Sequence, residues 1–276
     1  MTSLSTPSLA PAPISHLPRR LLSGAGTVWF LAALIGQGIF AAYIFAVYVR
    51  SAAAGQWDSW NETLFTGLIR GDLAGNTMMI VHLLLAFVIT ASGPMQLIPA
   101  LRRRLPAFHR WNGRLYILVA ILISLAGIGI GIVRPFFGGP INGVLQSFNG
   151  VVIITCAILA LKAARARNFS VHRRWATRLF LAASGVWFLR VMMIAWGMTT
   201  GGAGLGEELD GPMGRAALLG QTVIPLAVYQ LYLTAEEHGA PQAKVAMAVL
   251  LFLLTLIMIG GIIGATFGMW LPRMTS

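Results

Sequence analysis

Residues 245–270 read VAMAVLLFLLTLIMIGGIIGATFGMW, twenty-six positions without one charged side chain. A helix needs about 20 predominantly apolar residues to cross a bilayer, so this run is long enough to span. Six further runs have the same character, at 26–49, 77–100, 115–134, 142–162, 178–200 and 214–234. Together the seven fill most of the 276 residues and leave no room for a soluble domain. Composition agrees: 57% of the chain is hydrophobic and only 10% is charged, with a mean hydropathy of +0.77. A soluble fold carries roughly a quarter charged residues. A soluble enzyme, a disordered chain and a coiled coil are excluded. The fold predicted is an all-α polytopic membrane bundle of seven transmembrane helices.

The net charge of +12 comes from 18 Arg and two Lys against eight acids. Fourteen of the basic residues fall in the segments 1–25, 101–114, 162–178 and 235–244, which alternate from loop to loop. Six acids, among them Asp58, Asp72 and Glu208, fall on the other side with Arg50, Arg70, Arg134, Arg215 and Arg273. By the positive-inside rule the Arg-rich loops and the N-terminus are cytoplasmic and the C-terminus external. The charge then reports orientation and contact with anionic lipid headgroups, and it needs no nucleic-acid partner. Residues 1–25, rich in Pro and Ser, are predicted to be a disordered cytoplasmic tail ahead of a single seven-span domain, 26–276.

On the acidic side, Ser59 and Glu62 have capping-box spacing, and Trp57, Trp60, Leu64 and Leu68 follow a helical period. A short interfacial helix anchored by its tryptophans is expected, as an anchor or as a lid. Gly260, Gly264 and Gly268 on the last span, and Gly127 and Gly131 on the third, have the spacing that lets helices approach closely, within the bundle or between subunits of a homo-oligomer or membrane complex. Pro94 and Pro225 each remove a helical hydrogen bond and are expected to kink their spans.

Two Arg-rich connections resemble each other. One reads His109-Arg110-Trp111-Asn112-Gly113-Arg114-Leu115-Tyr116, the other His172-Arg173-Arg174-Trp175-Ala176-Thr177-Arg178-Leu179-Phe180. Similar units after alternate spans suggest that 77–134 and 142–200 are duplicated hairpins, together a four-helix core. The ordered set of His82, Gly93-Pro94-Met95-Gln96, Leu101-Arg102-Arg103-Arg104 and the two signatures, with Arg190 downstream, resembles a family of bacterial predicted membrane proteins, a domain of unknown function 2306. The resemblance covers about 77–200 and implies a bacterial inner-membrane location. Ala176 stands where the family pattern suggests Met.

Ionisable groups within a span are functional candidates by default. His82 and Arg190 qualify, and Asn142, Gln146 and Asn149 on the fourth span lie at similar depth on one helix face. If spans 2, 4 and 5 meet, His82, Gln146, Asn149, Trp187 and Arg190 line an outward-facing polar pocket for a quinone or a small carboxylate. The alternative is a self-satisfied structural network. Haem is a second cofactor candidate: His82 has no His partner at its depth, whereas His109 and His172 match in depth but sit at the membrane edge. That inner pair has a bland reading too, as solvated interface residues, and an anionic headgroup is another ligand for it. Retinal needs a Lys well inside a span, and Lys162 only ends one while Lys244 lies outside; proton pumping through carboxylates needs an acid there, and the spans hold none. No zinc-spaced set, phosphate-cradling loop or Gly-flanked nucleophilic Ser is present. The lone Cys156 can form no intrachain disulfide. These residues point to a ligand- or cofactor-binding membrane protein, such as a redox accessory; the alternative is a transporter or a non-catalytic structural or assembly subunit.

Overall fold

The computed structural model describes residues 16–64 and 67–275. Six helices are long and apolar enough to cross a membrane: α1 (Leu17–Ala53), α2 (Leu73–Leu97), α3 (Pro106–Val133), α4 (Gly139–Arg165), α7 (Pro212–His238) and α8 (Pro241–Thr275). A bent pair, α5 (Phe169–Ala183) and α6 (Gly185–Thr200), makes the seventh span when taken as one. No strand occurs among the described residues. The surface is apolar where lipid would lie, with Ile35, Val144, Leu253 and Ile257 all more than half exposed.

The helices α2, α3, α4 and α5 close a square, each packed on its two neighbours. Its interior is filled by Ile89, Val119, Ile123, Ile153, Cys156 and Leu179. Helices α1 and α8 lie along each other outside it, and α6 and α7 complete that second layer. An aromatic core including Tyr43, Tyr48, Phe180, Trp187 and Trp270 joins the two layers.

The fifth span is not one straight helix. It bends by 53° between α5 and α6, at the adjacent pair Ser184 and Gly185. Kinks arise at Gly/Ser pairs because a small residue leaves the ladder open to other donors. Here Asn149 of α4 donates its Nδ2 to the Ala182 carbonyl (3.1 Å) and to Thr222 Oγ1 (2.7 Å). The Ser184 hydroxyl donates to the Phe180 carbonyl (2.7 Å) and accepts from Gln37 Nε2 (2.8 Å). A Cβ at Gly185 would come within 2.9 Å of the Asn149 amide. The bend directs α6 toward α7 and α8.

Several expectations need correction. Residues 17–25, assigned to the tail, are helical and begin α1 with Pro18 in its first turn; Arg19 and Arg20 end the apolar run without ending the helix. The rest of the expected tail, 1–15, lies outside the described residues. The segment between α1 and α2 forms a 3-10 helix, Trp57–Glu62, without the capping box: Ser59 Oγ donates to the Gln56 carbonyl instead. Its tryptophans face the protein. Trp60 is fully buried, stacks edge-on against Tyr48 and donates its Nε1 to Ser51 Oγ (2.9 Å).

The glycine stripes also serve different ends. Gly127 makes room for the His82 ring and Gly131 for Phe136. On α8, Gly261 lies against the Val191 backbone and Gly264 against Ile194 and Met198, whereas Gly260 and Gly268 face open space. A Cβ at Gly261 would overlap the Val191 carbonyl oxygen, which the helix cannot withdraw. Gly261→Val is therefore expected to cost about 1–3 kcal/mol by overpacking, and Gly260→Ala to cost nothing. Unfolding midpoints of the two variants in one detergent check this.

Candidate functional site

The residues expected to line one polar pocket have separate partners. His82, half-buried on α2, contacts the Ile123 carbonyl of α3 through Nδ1 (3.1 Å). A carbonyl only accepts, so Nδ1 carries the proton and Nε2 keeps its lone pair. Asn149 is committed to the bend. Asn142, fully buried, donates to the carbonyls of Glu208 and Leu209 (3.0 and 3.2 Å) and ties α4 to the loop above it. Gln146 is exposed on the outer face of α4. Trp187 is buried in the aromatic core beside Phe188 and Gly36. Arg190 lies elsewhere again, its guanidinium 5.3 Å from the Phe40 ring centroid. It opens into a groove of about 470 Å³ between α6 and α8. One helix face of amides thus serves three neighbourhoods, because each residue meets whatever element crosses α4 at its own height.

The Arg-rich end is more coherent. α3 and α5 lie across the square from each other and both begin at this end. They bring His109 and His172 within electrostatic range of one another, with Arg102 and Arg110 acting on His109 as well. His172 Nδ1 meets the Ala160 carbonyl of α4 (2.9 Å), so its Nε2 lone pair is free. His109 Nδ1 is buried with no hydrogen-bond partner, as is Gln96 Nε2 on α2. The two signatures share a further feature. Arg114 lies over the Trp111 ring (5.0 Å) and Arg178 over Trp175 (4.8 Å), the i, i+3 spacing that places side chains on one helix face.

The opposite end holds a group whose role sequence reasoning missed. Arg134, counted only among the external arginines, is buried. Its Nε donates to Asp72 Oδ2 (2.6 Å), one terminal nitrogen to the Gly67 carbonyl (2.9 Å) and the other to Asn76 Oδ1 (2.5 Å). Asn76 in turn holds the backbone of Ile69 in both directions. Asp72 caps α2 through the Gly75 N–H (2.8 Å). This clamp joins the two far ends of the α2–α3 hairpin. Gln37 and Gln221, buried amides within α1 and α7, also escaped notice; an amide in an apolar run was the available signal.

A family model described as a predicted membrane protein (DUF2306) matches residues 79–233. No curated protein and no solved structure matches the chain.

The clamp carries a pH signature. The hydrogen bond from Arg134, and then the Gly75 N–H, hold the Asp72 carboxyl below its usual value of 3.8. A carboxyl lowered by folding adds stability above its unfolded value, near 4; the contribution is lost as pH falls through the lowered folded value. Thermal midpoints of the wild type should therefore drop as pH falls below about 4. Asp72→Asn should be less stable at pH 7 and show a shallower acid drop, which midpoints across pH 2.5–7 check on the order of single degrees.

Proposed function

The chain belongs to the DUF2306 family of predicted membrane proteins, and from its Arg-rich end we propose that it is a cofactor-binding membrane protein that holds a haem between His109 and His172 as a redox accessory. The observation that carries the reading is the cross-square pair itself. Two imidazoles from opposite corners of a four-helix square stand within electrostatic range of each other at its Arg-rich end, one with Nδ1 held by a carbonyl and the other with a buried nitrogen unpartnered. A carbonyl on the far ring nitrogen fixes the tautomer and raises the basicity of a ligating His. Arg102 and Arg110 supply positive charge suited to the propionates of the group. Bound there, haem would supply one-electron transfer. The protein's own part is to orient the imidazoles, with Ala160 holding His172, and to enclose the site with Gln96 beside Gly113.

In this reading the Arg-rich end faces the cytoplasm, with the N-terminus there and the C-terminus external, in a bacterial inner membrane. His82 and Asn149 do structural work through the bonds they already make. That removes them from the list of ligands.

Protein purified after expression with a haem precursor should show a Soret band and, on reduction, the sharp α band of a low-spin bis-His haem. His109→Ala and His172→Ala should each lower haem occupancy by about tenfold or more, since loss of even an orienting partner costs that much. His82→Ala should leave the spectrum unchanged. A colourless protein that stays colourless on titration with hemin ends the reading.

A further inference from the structure

The groove beside Arg190 stands apart from the proposed cofactor site. Its floor is α6 and its far wall is α8 where that helix makes a π turn, Thr266–Trp270. Extra residues in a helical turn of this kind recur at functional sites. Met193, Met198, Leu205 and Met269 make the lining apolar and adaptable, while Gly264 and Gly268 keep it open. Met198, which lines it, is about two-thirds exposed, so the groove opens sideways toward lipid.

Arg190 is the one charge in it. Among the described residues no carboxylate and no hydrogen-bonding group pairs with it. The Phe40 ring offsets part of that charge through a cation–π contact, but a ring is not a counter-ion. Arginine cannot lose its proton. A half-buried guanidinium in an otherwise apolar groove therefore favours an anion, and its fork matches a carboxylate in two parallel bonds.

Depth narrows the choice. Arg190 is ten residues from the end of α6 at Thr200, roughly 15 Å at 1.5 Å per residue. A phospholipid phosphate is held at headgroup level by two chains. A fatty acid has one chain, so it can enter as the carboxylate from the end of the groove at Leu205, with no change of protonation. We propose that the groove binds a single-chain fatty acid, its carboxylate on Arg190 and its tail along the methionines into the bilayer.

The test is equilibrium binding of labelled oleate to the detergent-purified full chain. Saturable binding is expected, displaced by unlabelled oleate but not by methyl oleate, phosphatidylglycerol or a short-tailed quinone. Arg190→Gln should weaken it tenfold or more, the factor that a charge-assisted hydrogen bond carries. Gly268→Leu is the second variant. A Cβ there meets nothing within 4 Å, so the side chain should fill the groove and abolish binding while the thermal midpoint stays within a degree or two. Equal displacement by methyl oleate or the quinone overturns the proposal, as does displacement by phosphatidylglycerol. So does unchanged binding in either variant, or no saturable binding in the wild type.

Discussion

A carbonyl freed inside a bilayer has to find a donor, because no water is there to supply one. The Ala182 carbonyl finds Asn149, and the geometry of the second half of the molecule follows. With that acceptor satisfied, the fifth span can bend at Ser184 and Gly185. The bend takes α6 out of line with the square and lays it against α8. Arg190 then faces α8 and Phe40, away from His82. Gln37 and Thr222 lock the bend from α1 and α7, so four helices fix one local distortion.

The bundle separates two kinds of polar group. Those near the bend are bonded to one another and hold helices in register. Interhelical bonds of this kind in a membrane are worth about 0.6 kcal/mol each, modest singly but cumulative at one junction. The groups at the Arg-rich end and at Arg190 keep free valences: the open nitrogens of His109 and His172, and an uncompensated guanidinium.

Spans were legible because hydropathy acts over twenty residues and tolerates local error. Seven runs and their alternating Arg clusters were enough for the all-α bundle. Helix facing was not legible in the same way. In lipid the outside of a helix is as apolar as its inside, so α4 carries no strong stripe to say which neighbour Asn142, Gln146 or Asn149 meets. The cross-square pair His109 and His172 was readable because it lies in a repeated signature, at helix ends, where polarity does vary. Arg134 was misread for a simpler reason. Its partner Asp72 is distant in sequence, and no local pattern joins them. Arg19 and Arg20 misled the start of α1, since a charge ends a hydropathy window before it ends a helix.

The Arg134 clamp makes the α2–α3 hairpin covalently joined at one end and ionically fastened at the other. Residues 67–134 thereby form a closed circuit of chain, in a protein whose lone cysteine can close none. Such a circuit is complete as soon as α3 has been made, before any later helix exists. The pair is thus tied at both ends, and α4 and the bent span pack against it.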